Sequence, residues 1–162
     1  MENIEINIEE REARAREYFT AGYNCAQAVV MAFSDIMSLD EVGAARIAAP
    51  FGGGMGRMRE VCGAVSGMTM VAGAISPATD PKNMVERKNN YALVQHFAAM
   101  FREQNGDIVC RRLLSLEPRE ENAETAMPSQ RTAEYYKKRP CVEYVATAAR
   151  IVATYLATGG NE

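Results

Sequence analysis

Apolar residues recur every three to four positions in nearly every segment of the chain, and no run shows the strict alternation that a half-buried strand requires. This periodicity predicts an all-α protein, a single-domain helical bundle of about six to seven helices. The first helix is expected over Ile8 to Ala21, with Gly22 as its stop signal. Asn24 is a good N-cap for the second, which carries Cys25, Ala28, Val29, Ala32, Phe33 and Ile36 along one stripe. Ser38 followed by Glu41 reads as a capping box opening a short helix to Ala48, after which Pro50 and the run from Phe51 to Gly56, FGGGMG, break regular structure.

A further helix is expected from about Glu60 to Ile75, with Cys62 in its first turn and Gly63, Ala64, Gly67, Ala72, Gly73 and Ala74 along it. Glycine inside a helix costs about 1 kcal/mol relative to alanine. So many small residues make sense in a buried central helix that neighbouring backbones or a ligand approach closely. Asp80 and Pro81 offer a cap and a first-position proline for a long helix to about Arg102, with Val94, Phe97, Ala98 and Phe101 inward. Asp107 is the expected cap of a short helix containing Cys110, Leu113 and Leu114. The polar segment Glu117 to Arg131, with two prolines, reads as a surface loop. The last helix is expected from near Pro140, with Cys141, Val145, Ala148, Val152 and Tyr155 at helical spacing and Gly159 and Gly160 as its stop.

The chain has 162 residues, 48% of them apolar, enough for one sizeable core and best read as one domain over residues 1–162. The net charge of −3 is mild and the basic residues are dispersed, which argues against a nucleic-acid partner. The acidic start MENIEINIEEREARAREYF lacks the features of a secretion signal, and the longest apolar stretch, Val61 to Ile75, is too short to span a bilayer. Cytoplasmic residence is therefore expected. In a reducing compartment four cysteines are poor candidates for static staples, so redox, catalytic or metal-binding use rises.

Each of those cysteines falls at an expected helix start: Cys25 after Asn24, Cys62 after the glycine loop, Cys110 after Asp107 and Cys141 after Pro140. The free amides and positive dipole end of a helix N-terminus favour the thiolate, which is both nucleophile and metal ligand. Depressed thiol pKa values are thus expected at several positions. Cys62 is the expected nucleophile or lead ligand, because the loop of Gly52, Gly53, Gly54 and Gly56, followed by Gly63, gives access and Arg57 and Arg59 add positive potential. The competing reading is that buried cysteines act as small hydrophobes on helix stripes.

No local CxxC or HxxxH pair is present, so a zinc or iron–sulfur site on Cys25, Cys62, Cys110 and Cys141 would have to be assembled by the fold. The glycine run lacks the Lys-Ser/Thr ending of a phosphate loop and follows no strand, so it reads as a hinge or close-packing loop. His96, the only histidine, lies mid-helix and reads as a packing or surface residue. Most of the ten methionines read as core filler, with Met55 and Met58 candidates to line a pocket. The N-terminal mixture of Glu and Arg reads as a solvated helix face.

Taken together, YNCAQAV around Cys25, FGGGMG followed by CGAVSG from Cys62 to Gly67, VCRRLL around Cys110 and RPC at Cys141 resemble the C-GCAxxG-C-C family of redox-active proteins. The resemblance runs from about Phe19 to the last helix and includes all four cysteines. It implies a redox-active role on those cysteines, and family members are often encoded near transporter genes. The expectation is a thiol-based redox protein working by thiol/disulfide exchange or iron–sulfur electron transfer. The alternative is a zinc- or soft-metal-binding accessory module, with a redox partner or a transporter-linked protein as its partner and self-association into a homo-oligomer as a further option.

Overall fold

The computed structural model describes residues 4–116 and 126–161. Among them are eight α-helices: α1 (Ile8–Thr20), α2 (Cys25–Ala32), α3 (Glu41–Ala48), α4 (Gly63–Ile75), α5 (Met84–Asn105), α6 (Cys110–Leu113), α7 (Ala133–Lys138) and α8 (Cys141–Thr158). A 3-10 turn, Ala49–Phe51, follows α3, and the sole extended pairing among the described residues is an isolated antiparallel bridge between Val61 and Val109. The all-α expectation holds, with more helices than expected.

The additional helix is α7. Thr132 caps it by accepting a hydrogen bond from the Tyr135 amide at 3.2 Å, Glu134 pairs with Lys138 one turn on at 2.7 Å, and Pro140 prevents its continuation into α8. That cap-and-pair signal stands in the sequence between the expected loop, which ends at Arg131, and the expected last helix. Of the expected loop, residues 117–125 lie outside the described residues, and Ala126 to Gln130 are exposed.

Several helix starts shift for local reasons. Asp40 rather than Ser38 caps α3, its carboxylate accepting from the Gly43 amide at 2.6 Å, because Ser38 sits in a left-handed turn at φ 53°. Asn83 rather than Asp80 caps α5, while the Asp80 carboxylate closes a turn on the Lys82 amide at 2.9 Å. The helix expected from Glu60 begins at Gly63, since Val61 is used in the bridge. Helix α2 stops at Ala32, although Phe33 and Ile36 remain buried on its stripe.

Helix α2 packs against α1, α3, α4 and α8, and α4 packs also against α5 and α8. The side chains of Phe19, Phe33, Phe97, Phe101, Met68 and Val152 are fully buried in the shared core, each contributing about 1.5–3 kcal/mol by removal from water. The acidic and basic first helix is not simply a solvated face. Arg11 is 5% exposed, donating to the Ala32 carbonyl at 2.8 Å and to the Asp35 carboxylate, which ties α1 to the end of α2. Glu12 and Arg16 reach across to Arg150 and Glu143 of α8.

The small residues of α4 have a specific use where it crosses α2. A Cβ on Gly63 would sit 3.1 Å from the Ala26 amide nitrogen and from Cys25 Cβ, and one on Gly67 would sit 2.8 Å from Val29 Cβ. Glycine four residues apart thus lets the two backbones touch. Gly73, further along α4, is exposed with nothing within 4 Å of such a Cβ. Gly67→Ala should therefore destabilise by about 1–3 kcal/mol through overpacking, whereas Gly73→Ala should stabilise by about 0.5–1 kcal/mol through helix propensity. Urea denaturation midpoints check both, and equal effects at the two sites would contradict this packing.

Candidate functional site: a cavity lined by four cysteines

Cys25 is the first residue of α2, behind a complete capping box in which the Gln27 amide donates to Asn24 Oδ1 at 2.9 Å and Gln27 Oε1 accepts from the Asn24 amide at 3.0 Å. The same two side chains donate onward, Asn24 to the Ala49 carbonyl at 2.9 Å and Gln27 to the Ala45 carbonyl at 3.0 Å. They fasten α3 and the 3-10 turn, and hence the root of the glycine loop, beside Cys25.

Cys62 is the cap residue of α4 rather than a first-turn residue, and Cys110 opens the four-residue α6. The bridge couples them: the Cys62 amide donates to the Ile108 carbonyl at 2.8 Å and the Cys110 amide to the Glu60 carbonyl at 2.6 Å. With Val61 opposite Val109, Cys62 and Cys110 fall on the same face of the pairing, diagonal to one another. Asp107 does not cap α6; its carboxylate accepts from the Ile108 and Val109 amides at 2.7 and 2.9 Å and turns the chain into the bridge. Cys141 opens α8 after Pro140.

The loop between α3 and α4 is a short left-handed coil, with φ of 66°, 73°, 66°, 55° and 61° at Gly53, Gly54, Met55, Gly56 and Arg57. Left-handed backbone costs an ordinary L-residue about 1–2 kcal/mol, so Met55 and Arg57 are held there by the closure of the loop. The Gly56 amide donates to the Pro50 carbonyl at 2.7 Å and the Glu60 amide to the Gly54 carbonyl at 2.9 Å. The amides of Met55 and Arg57 are also spent inside the loop, so they do not form a phosphate cradle. A Cβ on Gly54 would come within 2.7 Å of Cys110 Cβ, which is why the loop can lie against that cysteine.

All four cysteines line one cavity of about 420 Å³. Gly52, Gly53, Gly54, Gly56 and Gly63 also line it, along with Arg57, Arg59, Arg131 and Arg139. Met55 and Met58 do not: both point to solvent, 42% and 46% exposed. His96 is exposed on α5 against Tyr155 and takes no part.

The four thiols are electrostatically unequal. Cys25 and Cys141 are joined by a hydrogen bond, and that pair holds its charge on Cys141, lowered from an ordinary 9.0 to about 7. The Cys25 donor is the largest cause, followed, among the groups that lower it, by the Arg139 guanidinium, the Tyr135 hydroxyl donated to the sulfur, and Arg59. The eighteen-residue helix α8 begins at this sulfur, and its dipole acts in the same direction. Cys25 is raised in consequence, by the bond to Cys141 and by burial.

Burial pushes Cys62 up to about 12 despite the nearby amides of Ala64 and Val65. Cys110 is also raised by burial, tempered by Arg59, whose Nη1 lies 3.8 Å from its sulfur. The expected depression therefore holds at Cys141 and is reversed at Cys25, Cys62 and Cys110, for a definite reason. A helix start offsets only part of the desolvation cost of a buried thiolate, and Cys62 lacks the cation and hydroxyl that Cys141 has.

Sequence reasoning missed Tyr135, Arg139, Arg131 and Tyr144, all in the cavity wall. Tyr135 is raised to about 12 by burial and the charge on Cys141, so it stays a donor at neutral pH, and Arg139 lies over its ring at 5.7 Å. The run Tyr135 to Cys141, an aromatic and basic helix ending at a proline, was the available signal. Among the described residues no three His, Cys, Asp or Glu side chains are grouped so as to hold a metal ion.

The chain is all-helical, and its four remote cysteines lie at or beside helix starts around one cavity, with the Cys141 thiol lowered to about 7. The chain matches the family described as "Putative redox-active protein (C_GCAxxG_C_C)" over residues 23–155, and it belongs to that family. The match takes in all four cysteines, the glycine loop and most of α8. No curated protein and no solved structure matches the chain. Among the described residues no helix is long and apolar enough to cross a membrane.

Alkylation of the reduced protein by iodoacetamide, followed by peptide mass spectrometry, should label Cys141 first, with a midpoint near pH 7. Tyr135→Phe and Arg139→Gln each remove a group that favours the thiolate, so both should move that midpoint upward. A midpoint unchanged by either variant, or first labelling at Cys62, would refute this electrostatic assignment.

Proposed function

We propose that this protein is a dithiol–disulfide oxidoreductase in which Cys141 is the nucleophile and Cys25 the resolving thiol. The hydrogen-bonded Cys25–Cys141 pair, one member ionised near pH 7 and the other held protonated, is the observation that carries this reading. The Cys141 thiolate attacks one sulfur of a substrate disulfide, forming a mixed disulfide and releasing the other sulfur as a thiolate. Cys25 then passes its proton to solvent or to that leaving thiolate, attacks the Cys141 sulfur, and releases the second substrate thiol. Two electrons leave the cysteine pair, and one substrate disulfide becomes two thiols.

Cys141 is suited to the first step because a thiol with a pKa near ambient pH combines a high thiolate fraction with retained nucleophilicity. Tyr135 and Arg139 stabilise the thiolate and leave the attack geometry to α8. Cys62 and Cys110 line the same cavity and are protonated at neutral pH. Exchange chemistry also suits a single domain in a reducing cytoplasm, the setting in which free thiols persist.

Mild oxidation followed by non-reducing peptide mapping should yield the Cys25–Cys141 disulfide as the first product. Cys141→Ser should slow reduction of a small disulfide at pH 7 by about tenfold or more, because burial raises the three remaining thiols above the ordinary value. Cys25→Ser should instead trap a mixed disulfide on Cys141, and Cys62→Ser should leave the first step intact. A first disulfide between Cys62 and Cys110, or a random mixture, would sink the assignment.

A further inference from the structure

Charge in the cavity wall is one-sided. Four arginines line it, Arg57, Arg59, Arg131 and Arg139, and no Asp or Glu is among the described lining residues. Outside the cavity, Arg11, Arg16, Arg111, Arg112, Lys138 and Arg150 form ion pairs. Arg59, Arg131 and Arg139 form none among the described residues. A chain of net charge −3 thus gathers four arginines, and no acidic side chain among the described residues, around its thiols.

The three have different commitments. Arg131 is anchored, donating to the carbonyls of Phe19 and Tyr23, with its guanidinium 4.0 Å from the centre of the Phe19 ring. Arg59 makes one long contact to the Cys110 sulfur at 3.8 Å, and Arg139 lies over Tyr135. A guanidinium has five N–H donors in a fork that matches a carboxylate, so Arg59 and Arg139 retain donors for a ligand. Phe19, Leu113, Leu114 and Tyr144 supply apolar wall beside them. A volume of about 420 Å³ lies in the range of small-molecule sites rather than of a groove for a folded protein.

We propose that the cavity selects small disulfides carrying carboxylate groups, which Arg59 and Arg139 hold while one substrate sulfur meets Cys141. This rests on the exchange reading above and adds the substrate class to it. The chemistry is that same two-electron exchange, with the carboxylate-bearing disulfide as oxidant and two carboxylate-bearing thiols as products. Binding is driven by charge and by the fork geometry, so it should weaken as salt screens the site.

Three aliphatic disulfides of similar size test it on the full chain: 3,3′-dithiodipropionate, 2-hydroxyethyl disulfide and cystamine, which are anionic, neutral and cationic. Second-order rate constants for oxidation of the reduced protein are each divided by that of dithiothreitol with the same disulfide. The normalised anion-to-cation ratio should exceed about tenfold at low salt and fall toward one at high salt. Arg59→Gln and Arg139→Gln should each lower it about fivefold or more, with Arg59→Lys and Arg139→Lys losing less. Because the ratio is taken within one variant, any change in the ionisation of Cys141 cancels. A ratio near one, independent of salt in the unaltered protein, overturns the selectivity while leaving exchange in place. Failure of all three disulfides to oxidise Cys25 and Cys141 overturns the exchange reading beneath it.

Discussion

The close approach of α4 to α2 is the constraint on which the rest of the site depends. Gly63 and Gly67 present no side chain where the helices cross, so the backbone of one rests on the side chains and amides of the other. This brings the cap of α4, Cys62, to the start of α2, Cys25. From there the chain leads back through the bridge to Cys110, and α8 contacts both helices and delivers Cys141. A bulkier residue at either glycine would separate the thiols before it touched their chemistry.

Two opposed effects decide which thiol is reactive. Helix starts favour a thiolate, by donors and dipole worth around 1 kcal/mol each at most sites, while burial disfavours it by an amount that grows as water is excluded. At Cys62 burial wins. At Cys141 a thiol donor, a phenol and nearby guanidinium groups tip the balance the other way. The result is a division of labour between cysteines that look equivalent in a motif: one ionised, one hydrogen-bonded to it and protonated, and two more held protonated on the same cavity.

The glycine loop has a related logic. Its consecutive left-handed residues are affordable because three of the five are glycine, and the coil they form places Arg57 and Arg59 on the cavity while Met55 faces solvent. The loop therefore contributes its shape and the cations that follow it, and its amides from Met55 to Glu60 are consumed in holding that shape.

Helix type and rough extent were legible in the sequence, because the period of burial along a helix is a local property: the stripes of α1, α2, α5 and α8 appear with boundaries within a few residues. The four cysteines and their positions at helix starts were legible for the same reason, and so was the family pattern they carry. Convergence on one cavity, the bridge joining the approaches to Cys62 and Cys110, and the ranking of the thiols were decided only by the tertiary structure. Thiol acidity depends on burial and on charges brought from far along the chain, as Arg59 is brought to Cys110 and Cys141, and no local spacing encodes those distances.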